Sequence, residues 1–415
     1  MHVCIHRGSK QIGGSCVELA SHGRRLLIDL GLPLDATKND KQYLPKVVGL
    51  DNSDPTLLGI LISHLHLDHV GLLAHVSPSI PVGMGAAARR ILAAAAPFLP
   101  GNCPIPSSGW DFNSEQSFEI GPFRVTPYLV DHAAYDAYAL LVESDGKRLF
   151  YSGDFRAHGR KAALFERLVA HPPTKIDALL LEGTSLGQVD QEHVFPTESD
   201  LEAQFIDAFS TAERLVLVHA SAQNIDRIVT ILRASKKTGR TLIIDLYTAA
   251  VLEATCNPHI PRSDWPGIAL FVPQVQRRQI KKHAWFDLLH RHAKNRVYLE
   301  QIQATPENFV MLFRPLHTTD LEQGNCLKGA MYIYSQWEGY WEQGKYDSVK
   351  AWLADNDLPK RSLHTSGHAC LADLRTFVHA LSPGKVVPIH SFYPERYFDV
   401  FAEVELHEDG VWWEL

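Results

Sequence analysis

The sequence has no CxxC pair, no apolar run approaching the roughly 18 to 20 residues that span a bilayer, and no excess of positive charge. Each absence removes a class of protein. The six cysteines, Cys4, Cys16, Cys103, Cys256, Cys326 and Cys370, are scattered without regular spacing. That argues against a disulfide or structural-zinc framework and predicts buried thiols in a reducing compartment. The stretch from Met1 to His6 carries neither a basic nor an apolar leader region, so the expectation is a soluble, cytoplasmic chain with no membrane partner. A net charge of −7 excludes a chain that coats nucleic acid through bulk charge; any such contact must be local. There are no internal repeats and no low-complexity segments.

What is present is a long, moderately apolar chain rich in histidine. At 415 residues and 45% hydrophobic content it can bury two modest cores, or one core carrying a large insertion. Short apolar runs read as buried strands over 25–30, 57–62, 138–142, 148–151 and 178–181. The alanine-rich stretch 86–98 reads as a helix stopped by Pro100 and Gly101. From about Thr197 the texture changes to helix (199–214), strand (215–218), helix (224–237, with Gly239 at its end) and strand (241–245), a smaller α/β unit with parallel pairing. A basic run then covers 276–296, holding Arg277, Arg278, Lys281, Lys282, Arg291, Lys294 and Arg296 with Trp285 and Phe286 among them. Its ordinary reading is a solvated helix face. Strand-like runs return near the end, over 385–389.

Histidine is over-represented at 22 residues, and imidazole is the commonest metal ligand. The densest cluster is Ser63-His64-Leu65-His66-Leu67-Asp68-His69, directly after the apolar run 57–62. Residues two apart on an extended segment point to one side, so His64 and His66 can grip one metal, while the turn into a helix carries Asp68 and His69 to a second. More ligands must come from other strand ends. His132, after the run 123–129, and Asp154, after 148–150, are the candidates. A carboxylate has two oxygens, so Asp154 is the natural ligand to share between two cations; alone, Gly153-Asp154 would be a plain turn. Asp29, ending Leu26-Leu27-Ile28, is placed to hold a histidine ring in one tautomer, or else is a strand-end turn.

The order Asp29, His64-x-His66-x-Asp68-His69, His132, Asp154 resembles the metallo-β-lactamase superfamily. Leu180-Leu181-Glu182-Gly183-Thr184, His364-Thr365-Ser366-Gly367-His368-Ala369 and Val387-Pro388-Ile389-His390 are similar to motifs A, B and C of its β-CASP nucleases. So are Ser221 to Arg227, Gly239-Arg240-Thr241 and, as in ribonuclease J-like members, the loop Gly8 to Gly14. The resemblance implies an αββα metallo-β-lactamase sandwich built from 1–194 and 357–415, with an inserted α/β β-CASP domain over 195–356. It implies two zinc ions, with manganese or magnesium as alternatives: one held by His64, His66 and His132, the other by Asp68, His69 and His390, with Asp154 and a hydroxide bridging. His368 would be the general acid, oriented by Glu182, so that His368, Glu182, Asp68 and Asp154 carry the chemistry. Ser366 and Gly367 would hold a phosphate, and Arg277 and Arg278 the substrate strand.

A histidine in motif C goes with RNA-processing members and an aliphatic residue with DNA nucleases, so His390 favours RNA, cut internally, from the 5′ end, or both. The alternatives are a DNA nuclease of the same family, a glyoxalase- or lactonase-type hydrolase, and a non-catalytic RNA-binding scaffold. The lactonase type leaves motifs A to C unexplained, and a scaffold is expected to have lost metal ligands. Ala133 and Asp136 depart from the family pattern after the third histidine. With 25 residues beyond His390, the carboxy-terminal domain of ribonuclease J is not expected, and both a monomer and a homodimer remain open.

Overall fold

The computed structural model describes residues 1–52, 54–99 and 108–415; the expected helix stop at Pro100 and Gly101, and Cys103, lie outside them. The chain divides into two compact units, Met1–Phe195 with Gly367–Leu415, and Pro196–Ser366. No helix among the described residues is long and apolar enough to cross a membrane.

The first unit stacks two mixed sheets. One runs in the order Trp412–Glu414, His2–Arg7, Cys16–Ser21, Arg24–Ile28, Leu57–Leu61, Val82–Gly85, Asp111–Phe112. The other runs Val386–Ile389, Ala178–Glu182, Lys147–Tyr151, Ala137–Ser144, Phe123–Val130, Phe118–Ile120. Alternation along each strand builds the core between them: Leu26, Ile28 and Leu61 of the first sheet meet Val125, Leu140, Leu149 and Leu180 of the second. The opposite face of the second sheet packs Leu141, Phe150 and Leu179 against Leu168 of helix Ala162–Ala170 and Leu374 and Phe377 of helix Leu371–Leu381. This is the α/β sandwich expected of a metallo-β-lactamase fold, with a further α/β unit added.

Strand Val386–Ile389 pairs in parallel with Ala178–Glu182, so the last 49 residues complete a sheet begun some 200 residues earlier. That register sets the site. It brings the carboxyl end of Val386–Ile389, where His390 follows, beside the end of Ala178–Glu182, where Glu182 sits.

The second unit is a wholly parallel six-stranded sheet in the order Ile268–Leu270, Thr241–Ile244, Phe309–Phe313, Val216–His219, Met331–Tyr334, Lys360–Ser362. The sequence places the end of the inserted segment at 356; Lys360–Ser362 instead adds to this sheet as its edge strand, and the division falls at Ser366. Helix Ile225–Lys237 starts at Asn224, whose side chain accepts from the Arg227 N–H. The Arg227 side chain is buried and paired with Glu198 at 3.0 Å, so this part of the β-CASP-like motif locks one helix to the next. The basic run forms two helices, Gln274–His283 and Phe286–His292, broken where Ala284 takes a left-handed φ of 55°. Cys4, Cys16, Cys326 and Cys370 are buried free thiols as expected; Cys256, on the turn after helix Leu246–Ala254, is exposed.

Candidate metal centre

Strand Leu57–Leu61 gives way to a bent connection through Ser63 to His66, which carries His64 and His66 before the short helix Leu67–Val70 begins. The turn is tight: a Cβ on Gly31 would lie 1.7 Å from the Asp68 carbonyl oxygen, so only glycine lets the neighbouring loop pass. His64 and His66 therefore leave a bent connection rather than the extended segment that their spacing suggests, and His69 leaves a helical turn.

His64, His66 and His132 gather with ring centroids 4.6 to 4.8 Å apart. The His132 Nδ1–H donates to the Gly367 carbonyl at 2.6 Å, which leaves Nε2 as a lone pair pointing inward. That Nε2 lies 3.1 Å from His66 Nδ1. Two imidazole nitrogens on one tetrahedral zinc, each at about 2.0–2.1 Å, come to about 3.3 Å of each other. The His64 Nε2 is buried without a hydrogen-bond partner. Burial pushes all three imidazoles down, His66 to about 4 and the other two well below the usual histidine range, with neighbouring imidazoles adding repulsion. They are neutral, the form that binds metal.

Asp154 follows strand Lys147–Tyr151 through Ser152 and Gly153, and is 2% exposed. Its two oxygens have no hydrogen-bond partner. Four imidazole nitrogens face them instead: His69 Nε2 at 3.2 Å, His390 Nδ1 at 3.6 Å, His64 Nε2 at 3.7 Å and His368 Nδ1 at 3.8 Å. A buried carboxylate without hydrogen bonds is expensive unless positive charge sits beside it. Burial opposes its ionisation, yet His390, His69 and His368 hold its pKa well below the usual carboxylate range. The donor set fits metal: among the described residues, His64, His66, His132 and Asp154 form one candidate group, Asp68, His69 and His390 another, and Asp154, Glu182, His368 and His390 a third, with ligand atoms within 4.8 Å in each.

His69 and His390 are held from behind. The His69 Nδ1–H donates to Asp29 Oδ2 at 2.7 Å, and Asp29 also accepts from the Ser63 N–H, the Ser63 hydroxyl and the Tyr151 hydroxyl, each at 2.7 Å. His390 has a left-handed φ of 54°, donates its N–H to the Gly8 carbonyl at 2.8 Å, and contacts the Thr184 hydroxyl through Nδ1 at 2.9 Å and Asp68 Oδ2 through Nε2 at 3.2 Å. Burial works against charge on His69, but Asp154 and Asp29 outweigh it and hold its pKa well above the usual value. Asp68 goes the other way: burial is outweighed by the His390 contact and His69, which hold it low.

His368 and Glu182 complete the group. The His368 Nδ1 is 3.4 Å from Glu182 Oε1, and its ring lies 5.5 Å from His132 and 5.8 Å from His390. Glu182 is buried, and its Oε2 accepts from the Thr184 N–H at 2.9 Å. Burial lowers the His368 pKa, but Glu182 and Asp154 prevail and raise it to about 9.

Of the residues expected from sequence, the structure thus brings together Asp29, His64, His66, Asp68, His69, His132, Asp154, Glu182, Gly367, His368 and His390. Ser366 closes the second unit one residue before Gly367, and Arg277 and Arg278 lie in that unit on helix Gln274–His283. Sequence reasoning missed Ser63 and Tyr151 on Asp29, and gave no role to Thr184, which stands in the Glu-Gly-Thr motif against both His390 and Glu182. It also left Asp136 as an unexplained departure. Its carboxylate accepts from the N–H groups of Ala87 and Ala88 at 2.8 and 2.9 Å, capping helix Ala86–Ala95, and from the Tyr138 hydroxyl at 2.9 Å. Gly85, the residue before that helix, leaves room for it: a Cβ there would lie 2.1 Å from Asp136 Oδ2.

A sandwich with three overlapping histidine–carboxylate groups, joined at Asp154 and His390, defines an α/β protein with candidate sites for two metal ions. The family model of the beta-lactamase superfamily domain matches residues 24–220. With the geometry above, the chain is similar to the metallo-β-lactamase superfamily, and its candidate metal clusters resemble those of β-CASP type. It is 26% identical over 248 residues to ribonuclease J of Mycobacterium tuberculosis, covering 56% of this chain and 42% of that protein. It is 24% identical over 268 residues to an RNase J-like protein of Methanocaldococcus jannaschii, covering 60% and 59%. The chain thus spans less than two thirds of the length of these relatives. A crystal structure of a protein of unknown function from Enterococcus faecalis superposes with a TM-score of 0.79 over 100% of this chain and 99% of the other, at 20% identity, and shows the shared fold.

Proposed function

We propose that this chain is a metal-dependent hydrolase that cleaves RNA phosphodiester bonds. The observation that carries the reading is the position of Asp154, a buried carboxylate without hydrogen bonds that belongs both to the His64, His66, His132 group and to the group with Glu182, His368 and His390. When bound, two divalent cations, zinc in the first instance, lower the pKa of a water toward neutrality and neutralise charge developing on a phosphoryl oxygen. His64, His66 and His132 would hold one, and Asp68, His69 and His390 the other, with Asp154 shared.

The rest is the work of the chain. Gly367 and Asp29 each take one ring N–H, so that the other nitrogens of His132 and His69 face inward. His368 stands at the rim with 21% of its side chain exposed, where a leaving oxygen can reach it. As water adds to phosphorus and the P–O bond breaks, the imidazolium gives its proton to the departing oxygen, and Glu182 keeps the ring aimed. Ser366 and the Gly367 backbone are assigned to a non-bridging phosphate oxygen, and Arg277 and Arg278 to other phosphates of the RNA.

RNA rather than DNA is favoured by His390 in the Val-Pro-Ile-His motif and by the similarity to ribonuclease J proteins. The test is zinc content, then incubation of the metal-loaded protein with end-labelled RNA, DNA of the same sequence, and a generic lactone or thioester. Preferred cleavage of RNA is the expected outcome. Preferred cleavage of DNA, or hydrolysis of the lactone alone, overturns the substrate assignment.

A further inference from the structure

His132 and Asp154 have to reach one ion from strands that are not neighbours. His132 follows Phe123–Val130 and Asp154 follows Lys147–Tyr151, and each of these strands pairs with Ala137–Ser144, which lies between them. At about 4.8 Å per strand, the two ends stand roughly 10 Å apart in the sheet. Yet the ligand atoms of His132 and Asp154 lie within 4.8 Å of each other. The two loops therefore lean together over the end of the middle strand, and something other than the sheet has to hold them there.

Asp131, the residue before His132, and Arg156, two residues after Asp154, join the loops. Both side chains are completely buried, with Arg156 Nε 3.3 Å from Asp131 Oδ1. The Arg156 backbone N–H donates to the Asp131 carbonyl at 2.8 Å, which ties loop to loop directly. The chain then turns back, and the Gly159 N–H donates to Asp131 Oδ2 at 2.8 Å. Glycine makes this approach feasible: a Cβ on Gly159 would collide with Arg156 Nε and with both carboxylate oxygens of Asp131. Lys161 adds a further tie, its ammonium lying 3.4 Å from the His132 carbonyl oxygen. Stability alone does not call for such a pair, because desolvation cancels much of the attraction and apolar side chains of similar volume often fold as well. What an ion pair with directed hydrogen bonds adds is a fixed distance.

We infer that Asp131 and Arg156 are positioning residues for the metal centre: their buried pair, with Gly159 packed on it, sets the spacing of His132 and Asp154 and so the geometry of the ion that these two would share. The inference rests on the metal assignment above and is independent of RNA as the substrate.

The experiment uses the full chain, stripped with a chelator and titrated with Co2+, whose visible absorption reports coordination geometry. Asp131→Asn with Arg156→Met takes out both charges of the pair together, and the Asn oxygen can still accept the Gly159 N–H. This variant should bind one of its two ions about 10- to 100-fold more weakly, with an altered Co2+ spectrum and a smaller change at the other. Gly159→Ala keeps both charges but forces the pair apart, and should act in the same direction. Glu198→Gln, which breaks the buried pair with Arg227 in the second unit, is the control for a weakened fold. Its Tm should drop while its Co2+ affinities and spectrum stay as in the parent. Circular dichroism before titration confirms that each variant is folded. Parent-like affinities and spectra in both Asp131→Asn with Arg156→Met and Gly159→Ala, or an equal loss of affinity in Glu198→Gln, would overturn the inference. The two readings fail separately: a parent that binds no Co2+ sinks the metal assignment, whereas a parent that binds two ions, with variants that bind them alike, sinks the positioning pair alone.

Discussion

The Oδ2 of Asp29 lies 2.7 Å from the Nδ1 of His69, and both side chains are completely buried. Asp29 itself sits at a left-handed φ of 59°, a strained position for aspartate, and is kept there by Ser63 and Tyr151. Such a carboxylate fixes which nitrogen of the ring is free for metal and raises its basicity. Asp29→Asn, which keeps the shape but removes the charge, should lower affinity for the second metal by about 10- to 100-fold in a chelator competition. Tyr151→Phe, which removes one of four donors, should have a smaller effect. Undiminished metal affinity in Asp29→Asn would mean that His69 is not a ligand.

Asp154 makes the opposite use of burial. Its oxygens are without hydrogen bonds, so the metal-free protein holds a desolvated anion whose cost bound cations relieve. Metal therefore should stabilise the fold by mass action: elemental analysis should find close to two zinc per chain, and chelation should lower Tm. Asp154→Ala should lose at least one metal and all hydrolysis, with a smaller drop in Tm on chelation. Two metals retained in that variant would refute the shared-ligand assignment.

How much of this was legible beforehand follows from what local sequence can encode. Every strand of the first unit that ends at the metal centre was readable, because each is a short apolar run with its site residue at its end or within three residues after it. The ends were off by one or two residues, as at Arg24–Ile28 and Leu57–Leu61, since hydrogen-bond registers and not hydrophobicity close a strand. What could not be read was the partner of each side chain. Asp136 looked like a misfit because its role is made by a helix some 50 residues earlier, whose first residue's predecessor, Gly85, offers no cap of its own. Likewise the edge strand Lys360–Ser362 is too polar to declare itself and exists by pairing with Met331–Tyr334. The cap is testable: Asp136→Ala should destabilise the first unit by about 1–2 kcal/mol in denaturant unfolding. No change would show that the Ala87 and Ala88 N–H groups find other partners.

His368 and His390 both stand near Asp154 but have different surroundings. His390 is buried, tied through its backbone to Gly8, and faces Asp68. His368 is at the rim, with Glu182 as its nearest carboxylate. His368→Ala should therefore keep both metals and lose about 10²- to 10⁴-fold in kcat. His390→Val should release metal from the second site, and kcat should fall with metal content. Metal loss in His368→Ala, or full metal content in His390→Val, would exchange or cancel these roles.

The last expectation concerns stability against pH and comes from two histidines far in sequence from any metal-ligand candidate. His219, at the end of strand Val216–His219, is enclosed by Phe313, Tyr332, Tyr334 and Tyr346 and accepts a hydrogen bond from the Tyr332 hydroxyl at 2.6 Å. Burial pushes its pKa down to about 3, with Arg314, His317 and Lys345 adding repulsion. His317 accepts the Arg314 N–H at Nδ1; burial and Arg314 push it down to about 4 even though Asp245 pulls the other way. Both rings are thus neutral when folded and take up protons near pH 6.5 when unfolded. Folded pKa values below the unfolded value mean that the unfolded state binds more protons between about pH 6.5 and 4, so stability is full above that window and falls as pH drops through it. The slope is about 1.4 kcal/mol per pH unit for each histidine. Hydrogen-exchange protection of strand Phe309–Phe313, corrected for intrinsic rates, should show it. His317→Asn keeps an acceptor for the Arg314 N–H and should flatten the slope by one proton, and His219→Gln should remove a second. If protection in the double variant falls with pH as steeply as in the parent, these rings are not neutral in the fold and the acid sensitivity of this unit comes from its carboxylates.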